Sequence, residues 1–185
     1  MRVIGGKFRG MRLQRPPESI TRPTMDRVRE SIFNMLAHYD GDDLLQDAVV
    51  VDAFAGSGAL AIESLSRGAK KAYLFDINSK PLAIIRQNLD KVGVSEEQAI
   101  LMKASAIRPP KAPEPATLVL LDPPFGKNLT PKAMIALKDQ GWINGDTIIM
   151  AEIECREDVN LPAGFKILDQ RLYGTAKVFF MQADQ

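Results

Sequence analysis

The 185-residue chain holds a single cysteine and a single histidine. Cys155 alone excludes an internal disulfide and any cysteine-cluster metal site, and His38 leaves zinc almost without ligands, so no metal is expected. No stretch approaches the roughly 18 consecutive apolar residues that a transmembrane helix needs. The opening MRVIGGKFRG has no apolar signal core. Internal repeats and low-complexity tracts are also missing. Together these absences point to a cytoplasmic globular protein without a membrane partner. The length suits one core of ordinary size.

Charge is abundant but unevenly placed. The net charge is +1, yet residues 1–36 carry +5 and the remainder −4. The basic segment includes Arg2, Lys7, Arg9, Arg12, Arg22 and Arg27. A basic arm on a mildly acidic body is one way to hold nucleic acid, and a solvated terminal segment is the other reading of the same charges.

Two regions differ in pattern. Residues 1–43 read as an N-terminal extension. Short strands around Val3 and Leu13 flank a glycine loop, Pro16 and Pro17 break regular structure, and Thr24 can cap a helix running to about Tyr39. Residues 44–185 alternate strand and helix. The strands are AVVVDAF (48–54), KAYLFD (71–76), AILMK (99–103), ATLVLLD (116–122) and DTIIMAE (146–152). Helices are expected over about 57–67, from Ser79-Lys80-Pro81 onward, and over 130–140. Residues 165–171 and 176–182 read as a closing hairpin turning at Tyr173-Gly174. Continuous apolar strands separated by helices predict an α/β fold: a parallel sheet covered on both faces, with the hairpin adding an antiparallel strand.

Between the first strand and its helix stands Gly56-Ser57-Gly58, with Ala61 three residues on. The pattern G-x-G-x-x-A lets the backbone turn sharply and lets a ligand approach it. Asp76 follows Gly56 by 20 residues and can accept hydrogen bonds from ribose hydroxyls. A nucleoside-containing cofactor is therefore expected at the carboxyl ends of the strands. A nicotinamide dinucleotide would bring an anionic pyrophosphate against Asp52; S-adenosylmethionine would bring a cationic sulfonium and ammonium. Asp52 favours the second.

The fourth strand runs into Asp122-Pro123-Pro124-Phe125. The prolines remove two backbone donors, so the carboxylate and carbonyls dominate the polar surface and suit an N–H donor. Phe125 can stack on a planar base, a contact worth about 1–3 kcal/mol. An exocyclic amine is a poor nucleophile because its lone pair is delocalised. Acceptors that grip its N–H groups turn that lone pair toward a methyl group, and Asp122 can stabilise the charge that develops. A base in a duplex must be flipped out to reach such a turn.

RVIGGKFRGMRL, TRPTMDRVRESIFNML (21–36), VVDAFAGSGALAIESLSRGA and LDPPF together resemble the bacterial small-subunit ribosomal RNA guanine-N2 methyltransferase family (RsmD) over nearly the whole chain. The glycine turn and DPPF are shared by many amino-methyltransferases; the 21–36 block with the hairpin is more specific. The resemblance implies a Rossmann-like, seven-strand class I methyltransferase sheet with its last strand antiparallel. It also implies methyl transfer from S-adenosylmethionine to a guanine N2 amine in ribosomal RNA, within the small subunit or an assembly intermediate. It puts Asp52, Phe54, Ala55, Gly56, Ser57, Gly58, Asp76 and Ile77 around the cofactor, and Asp122 to Phe125 at the target amine. Residues 21–27 would lie over the cleft. Many relatives carry an acid after the third strand to touch the cofactor's adenine. This chain has Lys103-Ala104-Ser105-Ala106, leaving Ser105, Ala106 or backbone groups for that contact. Competing readings are a DNA amino-methyltransferase, which 185 residues hardly accommodate with a target-recognition region; a nicotinamide-dependent oxidoreductase; and a non-catalytic RNA-binding module.

Overall fold

The computed structural model describes residues 1–16, 23–39, 41, 43–157 and 160–184. Seven strands form one sheet: β1 (Val49–Asp52), β2 (Lys71–Asp76), β3 (Ala99–Lys103), β4 (Leu118–Leu121), β5 (Ile148–Glu154), β6 (Phe165–Tyr173) and β7 (Ala176–Ala183). Their order is β3-β2-β1-β4-β5-β7-β6. Strands β1 to β5 pair in parallel, and β7 inserts antiparallel between β5 and β6. This is the sheet that the sequence led us to expect. The turn between β6 and β7 is one residue later than the tyrosine–glycine reading: Tyr173 pairs with Ala176 across Gly174-Thr175, with φ of 59° at Gly174. Glycine takes that φ most readily, and the two-residue turn fixes the hairpin register.

Among the described residues, four α-helices cover the sheet: α1 (Pro23–Leu36), α2 (Ala59–Ser66), α3 (Ser79–Val92) and α4 (Leu129–Asp139). Their distribution is uneven. Val28, Ile32, Phe33 and Leu36 of α1, Ile62 and Leu65 of α2, and Ile85 and Leu89 of α3 pack on one face, against Val50, Leu74, Leu118, Leu120, Met150 and Phe180. The opposite face takes only Ala133, Met134 and Leu137 of α4, with Trp142 and Phe165 from loop and edge strand filling beside them. Trp142 packs edge-on against Tyr73 and Phe75 at 4.9 and 5.2 Å and donates its Nε1–H to the Pro110 carbonyl at 2.7 Å. Alternation of side chains across each strand separates the two layers.

The N-terminal segment departs from expectation. Its strands reduce to one antiparallel bridge, Arg2 to Arg12, closed around a 3₁₀ turn at Gly6–Phe8. Pro23 opens α1, so Thr24 lies inside the first turn rather than capping it; proline fits that position because its missing N–H would be unpaired there. The helix stops at Leu36, short of Tyr39.

The reduced hairpin is held by α2. The Glu63 carboxylate accepts the backbone N–H groups of Ile4 and Gly5, each at 2.8 Å, and pairs with Arg67 at 2.8 Å. Ser66 Oγ donates to the Gly5 carbonyl and accepts the Phe8 N–H. Gly6 sits so close that a Cβ there would stand 1.8 Å from the Ser66 carbonyl oxygen.

Candidate active site

The carboxyl ends of β1, β2, β4 and β5 converge on one edge of the sheet, each with a carboxylate. Asp52 ends β1 and Asp76 ends β2; Asp122 follows β4 directly; Glu152 lies within β5, which runs two residues further because its pairing with β7 continues. Register puts all four on the same face. Asp52 pairs with Leu74 and Leu120, each two residues before an acid, and Leu121 pairs with Ala151, so Asp122 and Glu152 stand side by side.

The glycine turn opens this edge. Gly56 and Gly58 have φ of 54° and 78°, and a Cβ on Gly58 would press to 3.1 Å from Ile85. Gly58 precedes α2, and Ala61 in its first turn donates its N–H to Asp52 Oδ2 at 3.3 Å. Asp52 is 1% exposed, and its Oδ1 has no partner among the described residues. Burial first, then the charge of Asp122, pushes the Asp52 carboxyl up to about 7. An orphaned, buried carboxylate oxygen is costly unless a cation or donor meets it.

Asp76 holds the turn from the other side. Its Oδ2 accepts the Gly56 N–H at 3.3 Å and its Oδ1 accepts the Asn78 N–H at 2.8 Å. Each oxygen keeps a free lone pair for a hydroxyl. Ala104 donates its N–H to the Asp76 carbonyl, which brings the turn containing Ser105 and Ala106 to the same corner; Ser105 is half-buried and Ala106 buried. Phe54 is half-buried, Ala55 buried, and Ile77 stands 61% exposed over the edge.

Across the edge, Pro123 is buried while Pro124 and Phe125 face outward, Phe125 with 47% of its surface exposed. These three line a pocket with Asn128, Thr130, Glu152 and Glu157. The Glu157 carboxylate accepts the Gly126 N–H at 2.5 Å and so ties the proline turn to the loop after β5. Burial pushes Asp122 up to about 6; burial together with the charge of Asp122 pushes Glu152 up to about 8.

The glycine turn and the proline turn thus follow neighbouring strands on one sheet edge, while the pocket at the proline turn is lined by none of the glycine-turn residues. Of the basic residues, Arg2, Lys7, Arg9 and Arg12 are exposed on the hairpin and Arg27 is exposed on α1. Arg22, and Thr21 beside it, lie outside the described residues. Arg29 belongs to the interior instead: it is buried, pairs with Asp26 at 3.1 Å and donates to the Arg2 carbonyl at 2.6 Å. Two residues escaped the sequence reading. Glu152 carries the same signal as Asp122, an acid after an apolar run, but sits mid-strand. Asn88, fully buried on α3, exchanges two hydrogen bonds with the Gln14 backbone and donates to the Ser57 carbonyl. Nothing in its local sequence marks it. No group of three or more His, Cys, Asp or Glu among the described residues is placed to hold a metal.

This arrangement has known counterparts. The family model described as conserved hypothetical protein 95 matches residues 1–182. The chain belongs to that family. It is 33% identical over 175 residues to the ribosomal RNA small subunit methyltransferase D of Escherichia coli K12, covering 94% of this chain and 85% of that one. With the enzyme of the same name from Haemophilus influenzae it shares 32% identity, over 94% and 89% of the two chains. A solved Escherichia coli structure, yhhF, described as a candidate methyltransferase, superposes with a TM-score of 0.83 at 31% identity, covering 100% and 98% of the chains. The family assignment makes the chain a methyltransferase with a class I sheet. A nicotinamide-dependent oxidoreductase is thereby set aside.

Proposed function

We propose that this enzyme transfers a methyl group from S-adenosylmethionine to the exocyclic N2 amine of a guanine in small-subunit ribosomal RNA, in the cytoplasm. The observation that carries the reading is the side-by-side placement of the acceptor-rich Asp122-Pro123-Pro124-Phe125 turn and the glycine turn on one acidic sheet edge. Relatives named as small-subunit ribosomal RNA methyltransferases support the choice of RNA.

The residues present fit the cofactor. Asp52 Oδ1 is buried and unpartnered, which suits the ammonium group; Asp76 keeps lone pairs for the ribose hydroxyls; and the glycines leave room for close approach. Ser57 and Ala55 supply backbone groups to the same turn, Ile77 an apolar surface for the adenine, and the turn at Ser105 and Ala106 polar backbone at its rim. The bound sulfonium supplies an activated methyl group; the chain supplies orientation and charge. Asp122 accepts an N–H of the target amine and stabilises the positive charge that builds on nitrogen. Pro123 and Pro124 hold the acceptors rigid, and Phe125 stacks on the flipped base. Arg2, Lys7, Arg9, Arg12, Arg22 and Arg27 contact phosphates, offsetting the few kcal/mol that unstacking costs.

The test is transfer of labelled methyl to three substrates: naked small-subunit rRNA, small subunits lacking the modification, and duplex DNA. N2-methylguanine in a ribosomal substrate is the expected product. Label confined to DNA, or found only on adenine or cytosine, overturns the assignment.

A further inference from the structure

Of the four carboxylates on the sheet edge, Glu152 belongs to neither the glycine turn nor the proline turn. Its position is nevertheless determined by them. The pairing of Leu121 with Ala151 carries Asp122 and Glu152 forward side by side on neighbouring parallel strands, facing the same way. Glu152 lines the pocket that Pro123, Pro124 and Phe125 form. Neither the Asp122 nor the Glu152 carboxylate has a hydrogen bond or ion pair to another described residue, although the Glu152 backbone is paired in the β5–β7 ladder. Two adjacent, largely buried acids without a cation are unfavourable on their own. What would satisfy them is a ligand edge carrying two neighbouring N–H donors.

We propose that Glu152 is a specificity-determining residue: its carboxylate accepts the N1–H of the target guanine while Asp122 accepts from the N2 amine. This rests on the guanine-N2 reading above and adds the means of choosing the base. Guanine alone presents a ring N–H beside its exocyclic amine. In adenine and cytosine the corresponding ring nitrogen is a bare acceptor, which a carboxylate repels and leaves unpaired. In the free site, burial raises both carboxyls, and the charge of Asp122 adds to this at Glu152, which favours protonation. Two donated N–H bonds favour the ionised form of both acids, so a proton held there passes to solvent when the base enters. The doubly charged pair then faces the nitrogen on which positive charge develops.

The test uses the full chain with two synthetic substrate RNAs, bearing guanosine or 2-aminopurine riboside at the methylated position. 2-Aminopurine keeps the 2-amine but offers a bare N1. Wild type should favour guanosine in kcat/KM by roughly 10–100-fold or more, the worth of a hydrogen bond to a charged group. Glu152→Gln is nearly isosteric and can donate to the bare N1. It should cut that preference by about tenfold or more, with methyl-donor affinity within about twofold of wild type. The absent O6 affects both enzymes alike and cancels from the comparison. An unchanged preference, whether or not the overall rate falls, overturns the proposal. If Glu152→Gln fails to fold, Glu152→Asp, which withdraws the charge by one methylene, is read by the same ratio. Failure of wild type to methylate guanosine both in the synthetic RNA and in small subunits lacking the modification would instead overturn the underlying guanine-N2 reading.

Discussion

Replacing Asp52 with asparagine separates what the site costs the fold from what it does. The ordinary carboxyl value of 3.8 holds in the unfolded chain, whereas burial and the charge of Asp122 hold the folded carboxyl at about 7. Between those values the folded chain keeps a proton that the unfolded chain has released. Linkage then makes stability fall as pH rises from about 4 to about 7, with no further loss from this group above that. Three pH units at about 1.4 kcal/mol each give a cost of about 4 kcal/mol at pH 8. Asp52→Asn keeps the shape and the acceptor for the Ala61 N–H but cannot ionise. Urea unfolding of both proteins at pH 4.5, 6, 7 and 8 should show the variant close to wild type at the acid end. At pH 8 it should be more stable by up to about 4 kcal/mol. The same substitution should weaken methyl-donor binding, because the ammonium partner loses its charge. A stability difference that does not change with pH would refute the reasoning. A variant that is more stable yet binds less well would mark Asp52 as a residue retained for function against stability.

Four further outcomes are expected. Asp122→Ala should lower single-turnover methyl transfer by about 10²–10³-fold while methyl-donor affinity, read by calorimetry, stays within about threefold; lost affinity would mean that the residue serves the cofactor instead. Arg9 and Arg12 changed together to alanine should lower the log–log salt slope of RNA binding by roughly 0.7–0.9 per lost phosphate contact, and an unchanged slope would remove the hairpin from the interface. Gly6→Ala should destabilise by about 1–3 kcal/mol or more, because Gly6 has φ of 72° and the new methyl overlaps the Ser66 carbonyl; an unshifted urea midpoint would contradict it. Glu63→Ala should cost about 3–5 kcal/mol in the same assay, since it strands Arg67 and two backbone donors; a loss below about 1 kcal/mol would mean that water replaces the carboxylate.

How much of this was legible in the sequence depended on the range of the interaction. Strands β1, β2 and β4 announce themselves as apolar runs because both faces are buried, and three of the site's acids announce themselves by breaking those runs. Gly56 and Gly58 are legible because a left-handed turn demands them. Glu152 ended the expected strand 146–152 but, with no glycine or proline turn after it, drew no notice; in the structure β7 extends the pairing of β5 two residues past it, and its place beside Asp122 follows only from the β4–β5 register. Glu63 and Asn88 were missed because their partners lie 58 and 74 residues away in the chain. On α2, Glu63 reads only as one polar residue among ALAIESLS. The hairpin, expected as two short strands, is short: Val3 bonds Met11 and Gly10, and Leu13 bonds Met1, around a single bridge, while side chains of α2 take the N–H groups of Ile4, Gly5 and Phe8 at its turn.

Those long-range ties decide how the two halves of the site are held together. The N-terminus of α2 carries the glycine turn, and its last turn carries Glu63, Ser66 and Arg67, which grip Ile4, Gly5 and Phe8. Eight helical residues therefore separate the glycine turn from the hairpin that carries the exposed arginines, a span of about 12 Å at 1.5 Å per residue. Asn88 closes the same distance from the other side, bonding Gln14 and Ser57 at once. A helix and a buried amide cannot lengthen, so on the proposed function a phosphate held at Arg9 or Arg12 would be fixed in distance from the glycine turn. Positioning of this kind is worth far more to methyl transfer than any acid–base step, because the amine must meet the methyl carbon in line. On this view the hairpin is small because it needs no core of its own: its geometry is borrowed from the helix that holds the cofactor turn.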